Sequence, residues 1–182
     1  MSSFRFPTLL RHAARRAGYQ GSGPTMHATS DGFVWVVNVQ RSHDGVHFYV
    51  NLGAHPLGLL PDVGLASTFK EYQCAFRTRV GERWLREPFS EDVAPLFTQA
   101  EAVFRREVQA GVENLRTIAP QDAVVGTYHA EFHSLLFARI CEACGWNEQA
   151  LRFVDWGYPR TRPRASAVRE EFALLRQRLT PA

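Results

Sequence analysis

"FVWVVNVQRSHDGVHFYVNLG", residues 33–53, decides the fold. It alternates apolar and polar residues on both sides of Asp44-Gly45, a dipeptide that tolerates the positive φ angles of a tight hairpin. Pairing the arms about that turn sets His43 opposite Val46, Val39 opposite Val50 and Val37 opposite Leu52. One face then collects Phe33, Trp35, Val37, Val39, Phe48, Val50 and Leu52. The other collects Val34, Val36, Asn38, Gln40, Ser42, His47, Tyr49 and Asn51, with Asn38 opposite Asn51, Gln40 opposite Tyr49 and Ser42 opposite His47. Asp31-Gly32 is a second turn signal upstream. It independently puts Met26 and Ala28 on the apolar face, and Thr25, His27 and Thr29 on the polar one. Two turns chosen from local chemistry thus agree on one antiparallel meander, with strands at about Thr25–Thr29, Phe33–Arg41 and Val46–Ala54. The amides that seem to interrupt the hairpin belong to the far side of its sheet.

Outward from the hairpin, "HPLGLLPDVGLAST" is a Gly/Pro loop too apolar to be solvated throughout, and it is expected to fold back over a sheet edge. "KEYQCAFRTRV" alternates again as a fourth strand, with Tyr72, Cys74, Phe76 and Val80 on one parity and Glu71, Gln73, Arg77 and Arg79 on the other. "GERWL" continues it as a turn and a short strand or strap. Upstream, Ser2 or Ser3 caps a helix carrying Phe6, Leu9, Leu10, Ala13, Ala14 and Ala17, which Gly18 stops. After Pro88 the period changes to that of a helix. Ser90 caps a stripe of Val93, Leu96, Phe97, Ala100, Val103, Phe104, Val108, Val112 and Leu115, with a break expected at Gly111. A further helix runs from about Asp122 or Thr127 to Cys144, ended by Gly145, and "NEQALRFVDWG" is a short helix capped by Asn147. A last helix turns Val168, Phe172, Leu175 and Leu179 inward. The expected fold is α+β: an antiparallel meander sheet of four to five strands, with an N-terminal helix and C-terminal helices packed on one face. Residues 1–159 read as a single α+β domain, and 160–182 as an Arg/Pro linker and C-terminal helix packed on the same domain.

Composition narrows the setting. The 182 residues, 45% hydrophobic and 21% charged, suit one globular domain. No run approaches the roughly 18 apolar residues of a membrane helix. The N-terminus lacks a secretory apolar core, being interrupted by Arg5, Pro7, Arg11 and His12. Its acid-free, Arg- and Ser-containing composition also fits a transit peptide, but the strand pattern close behind favours an ordinary first helix. The net charge is +3, and Lys70 is the only lysine among the basic residues. That arginine bias follows from GC-rich coding more often than from phosphate recognition. Cys74, Cys141 and Cys144 are too few for a disulfide framework and point to a reducing cytoplasm.

Several short motifs occur in a recognisable order: Gln40 and Ser42, then Val50 to Gly53, then Cys74, Arg77, Arg79, Gly81, Glu82 and Trp84. In this order, over roughly residues 4–115, the chain resembles a bacterial family classed as a domain of unknown function. Its members share the pattern "v.nlQ.S…f.vNlG…C..R.R.ge…W". The resemblance implies an α+β domain and carries no catalytic residues with it.

Other constellations weigh less. In "HAEFH", His129 and His133 lie one helical turn apart as zinc ligands can, but Glu131 stands two residues after the first histidine, where metalloprotease chemistry needs it adjacent. "CEAC", Cys141–Cys144, sits at a helix C-terminus, where the dipole disfavours a thiolate, so both read as small buried apolar residues. No metal and no cofactor is expected. "GSG" at Gly21–Gly23 lacks the strand and helix that a phosphate cradle needs. The terminal arginines, Arg160, Arg162, Arg164, Arg169, Arg176 and Arg178, are interleaved with Glu170 and Glu171 and read as a solvated face before a nucleic-acid arm.

The polar sheet face remains. Solvated faces favour Thr, Lys, Glu and Arg, whereas this one offers His27, Asn38, Gln40, His47, Tyr49 and Asn51, with Arg77 and Arg79 joining if the fourth strand pairs in the same sense. The leading expectation is a cytoplasmic, non-enzymatic module recognising a protein partner of immunity or regulatory type through these eight residues. The alternative is an enzyme or small-ligand binder on the same face, with His27, His47, Tyr49 and Arg77 as acid/base and anion-holding groups. RNA binding through arginines is a third, weaker class. A deep pocket over the face favours the second class; an open surface favours the first.

Overall fold

The computed structural model describes residues 5–43, 47–60, 68–84, 93–124 and 130–180, without the side chains of residues 5, 6, 81–84 and 130. The chain divides into two compact units, Met1–Val108 and Gln109–Ala182.

The first unit opens with α1, Arg5–Arg16. It buries Leu10, Ala13 and Ala14, and Gly18 at φ 89° lets the Tyr19 N–H reach back to the Ala14 carbonyl at 3.0 Å, closing the helix. Four strands follow: β1, Thr25–Ser30; β2, Phe33–Arg41; β3, Phe48–Pro56; and β4, Phe76–Trp84. They form an antiparallel meander in the order β1-β2-β3-β4, as the alternation predicts, but "GERW" lies inside the fourth strand, without the expected turn. Asp31 and Gly32 both take positive φ, 54° and 77°, as a tight hairpin between β1 and β2 requires. Val37 pairs with Met26 and Leu52, Val39 with Val50, and Asn38 with Thr25 and Asn51, so both expected registers hold. The Asp44-Gly45 turn itself lies outside the described residues, as do Ser2, Ser3 and Ser90. On the outer side of β1, Gln20 and His27 exchange both backbone hydrogen bonds, at 2.7 and 2.8 Å.

The main core lies on the face bearing Trp35, Val37, Phe48, Val50 and Leu52, against Leu10 and Ala14 of α1 and Val93, Phe97, Phe104 and Val108 of α2, Val93–Leu115. The helix continues through Gly111 without the expected break. Of its predicted stripe, Leu96 and Val103 stay exposed, because they flank the line of contact that Phe97 and Phe104 make with the sheet. A polar network ties three elements together beside this core. Tyr19 Oη donates to Glu101 at 3.1 Å, and Arg105 Nε donates to the same carboxylate at 2.6 Å. Arg105 Nη1 donates to Ser30 Oγ at 2.7 Å, and its guanidinium lies 4.2 Å over the Trp35 ring. Glu101 is 8% exposed, so the pairing offsets a desolvation cost that either charge alone would bear. Burial, reinforced by Glu101, holds the Tyr19 phenol well above its ordinary pKa.

The apolar loop covers a face, not an edge. Leu57, Leu60, Phe69 and Cys74 pack on Val34 and Val36 in a second small core. A 3-10 turn at Glu71–Gln73 interrupts the expected fourth-strand alternation. Cys74 therefore lands on the face opposite Phe76 and Val80, where its predicted parity would not place it.

In the second unit, α3 is Pro120–Ala123, α4 Ala130–Ala143, α5 Asn147–Gly157 and α6 Ser166–Leu179. The cap before α5 is Trp146, not Asn147, which is the first helical residue. Phe153, Ile140, Phe172 and Leu175 are buried, and α4, α5 and α6 meet at Gly157. A Cβ there would stand 2.6 Å from Phe172 and Ser134 atoms. Residues 158–161 pack rather than dangle: Tyr158 meets Phe172 edge-on, and Thr161 Oγ1 donates to the Gly157 carbonyl at 3.0 Å.

Candidate functional site

The polar face divides into rows running across the strands. In one row Thr25, Asn38, Asn51 and Arg79 stand side by side on β1, β2, β3 and β4. Asn38 Nδ2 donates to Thr25 Oγ1 at 2.9 Å, Asn51 Nδ2 to Asn38 Oδ1 at 3.4 Å, and Arg79 Nε to Asn51 Oδ1 at 3.0 Å. Each amide thus uses a donor and an acceptor along one line, which is why two asparagines sit mid-strand at positions where a lone amide would be left short. Asn51, 5% exposed, is the buried centre. The Arg79 guanidinium lies 4.3 Å over the Tyr49 ring, and Tyr49 pairs with Gln40 in the next row. Thr25 ends the ladder without having been singled out; its register opposite Asn38 was the signal available.

The other expected residues stand apart from this group. His27 Nε2 meets the Phe69 carbonyl at 2.6 Å, and since a carbonyl only accepts, Nε2 carries the proton. That ring pins the covering loop. Arg77 lies across from Gly53 and donates from Nη1 to the Tyr72 carbonyl at 3.4 Å. His27 and Arg77 are three strand spacings apart, about 14 Å. His47 sits where β2 and β3 close, its N–H donating to Ser42 Oγ at 3.2 Å. His27, His47, Tyr49 and Arg77 therefore do not converge on one reacting point. The face brings together Thr25, Asn38, Gln40, Tyr49, Asn51 and Arg79.

Gly53 explains the neighbouring motif. A Cβ at Gly53 would lie 2.6 Å from Cys74 Sγ and 3.0 Å from Cys74 Cβ, so the glycine of "NLG" makes room for the cysteine twenty-one positions on. Burial pushes the Cys74 thiol up to about 12, with Glu71 adding to the rise.

Elsewhere, His129 of the histidine pair lies outside the described residues. Among the described residues no three His, Cys, Asp or Glu side chains gather as a metal site, and no helix is long and apolar enough to cross a membrane. Cys141 is buried, its thiol pushed up to about 12 by desolvation, whereas Cys144 is exposed, contrary to its expected burial, because it stands just past the end of α4. The terminal arginines are largely engaged within their own unit: Arg178 with Glu142, Arg176 with Asp155, Arg160 over Trp156 and Arg169 over Tyr158.

A family model described as "Domain of unknown function (DUF4304)" matches residues 10–115, more than half of the chain. No curated protein and no solved structure matches it significantly.

Proposed function

We propose that this chain, which belongs to the DUF4304 family, a domain of unknown function, is a non-enzymatic binding module of the bacterial cytoplasm. It recognises a carboxylate-bearing surface of a protein partner, in an immunity-type or regulatory role. The observation that carries this reading is the posture of Arg79. Its Nε is anchored on Asn51 and its plane on Tyr49, while among the described residues its two terminal amino groups donate to no partner, and the residue is exposed. An arginine fork held on a rigid sheet loses little freedom when a carboxylate docks on it. Arginine and tyrosine are also the side chains that dominate protein–protein binding energy. Gln40, exposed beside Tyr49, supplies an adjacent polar contact.

The test is affinity capture from the native host with the full chain as bait. Arg79→Gln should leave the chain folded at a cost of about 1–3 kcal/mol or less, because the buried Asn51 Oδ1 loses its donor. It should nonetheless lose the captured protein, whose binding in the wild type should weaken with salt. Capture that survives both Arg79→Gln and Tyr49→Ala rules the patch out.

A further inference from the structure

A second feature lies on the opposite, apolar face. Between α1 and the strand ends there is a cavity of about 210 Å³. Met26, Val37, Val39 and Phe48 floor it, Leu10 flanks it, and Arg11 stands at its side one residue along the helix. Among the described residues its lining contains two arginines, Arg11 and Arg41, and no carboxylate. Arg11 is half-buried, and it makes no hydrogen bond or ion pair among the described residues. A guanidinium partly withdrawn from water without a counter-charge is an unfavourable arrangement that an anion would relieve. The floor meanwhile is hydrocarbon, and an apolar cavity of about 150 Å³ already holds a benzene ring. The space here admits a ring and a carboxylate together.

We propose that this cavity is a binding site for a small carboxylic acid with a compact apolar body, its ring or branched chain on Met26, Val37, Val39 and Phe48 and its carboxylate on Arg11. The apolar part contributes affinity by leaving water, and the arginine selects the anion over its neutral analogue. The site is separate from the Arg79 patch, so either reading can fail without the other.

Benzoate is the probe and benzamide its neutral counterpart, each titrated into the full chain while the methyl resonances of Met26, Val37 and Val39 are followed by NMR. Benzoate should shift these methyls saturably, and benzamide should bind about tenfold more weakly or worse, the scale of one charge-assisted hydrogen bond. Arg11→Gln should weaken benzoate by about the same factor, with Arg11→Lys falling between. Absence of saturable methyl shifts overturns the proposal, as does equal affinity for benzoate and benzamide. Undiminished benzoate binding to a folded Arg11→Gln chain overturns it too. The benzamide comparison uses the unaltered protein and decides the matter even if the Arg11 variants fold poorly.

Discussion

At the scale of single residues, Cys74 packs so closely on Gly53 that it leaves no room for a side chain there. With Cys74 Sγ 2.6 Å from where a Cβ would lie, Gly53→Ala forces the covering turn away from β3. The expected loss is about 1–3 kcal/mol, the range for overpacking a filled interior. Adding Cys74→Ala should recover part of it, since the sulfur is the nearer obstacle, and urea midpoints of the two single variants and the double variant measure the coupling. Strict additivity would mean that the two positions do not press on one another. Alternation alone could not show this contact. Parity put Cys74 on the same face as Phe76, because nothing in "KEYQCAF" announces that Glu71–Gln73 coil into a turn before the strand begins. The Asn38–Asn51 pair was legible from register, as was Arg79 as an edge member. The hydrogen bonds that chain them from Thr25 to Arg79 depend on rotamers that no pattern encodes. His27 was legible as polar-face but not as a latch, since its acceptor, the Phe69 carbonyl, is backbone in a distant loop.

At the scale of elements, the sheet was readable because two turn dipeptides constrain register independently, and a slip of one residue would have turned Trp35 to the other face. Trp35 is 1% exposed, meets Phe104 edge-on at 6.1 Å, and carries the Arg105 guanidinium on its ring. Trp35→Ala should therefore cost about 3–5 kcal/mol, as emptying a core of its largest side chain does. The loss should appear as a lower thermal midpoint, accompanied by loosened protection of amides in α2. A change below about 1 kcal/mol would contradict the packing described, since large aromatic deletions in cores cost more. The helices were less legible than the strands. In α2, hydrophobic residues outnumber the positions the sheet can cover, so Leu96 and Val103 matched the period yet remain exposed. Gly111 sits mid-helix at a modest propensity cost, which flanking turns outweigh.

At the scale of the whole molecule, each compact unit buries a thiol: Cys74 in Met1–Val108 and Cys141 in Gln109–Ala182. Both are pushed up to about 12 by desolvation, from an ordinary value of 9.0. Below pH 9 the thiols are protonated in folded and unfolded chains alike, and this contribution to stability is fully present. Between about 9 and 12 the unfolded chain releases protons that the folded chain retains, so stability falls as pH rises through that window. Urea unfolding at pH 8, 9 and 10 should show this decline, and it should be shallower in a Cys74→Ala, Cys141→Ala chain; identical slopes would remove the thiols as its cause. The bridge between Gln20 and His27 bears on association as well. By taking the outward backbone groups of His27, it closes the middle of one border of the sheet, and at the other border the pairing of β3 with β4 is irregular between Phe48 and Val50 while Arg77 and Arg79 are exposed. The bridge shortens the template that the β1 border offers for strand addition, and the exposed arginines and the irregular pairing make the β4 border less suited to it, which works against edge-to-edge stacking of copies.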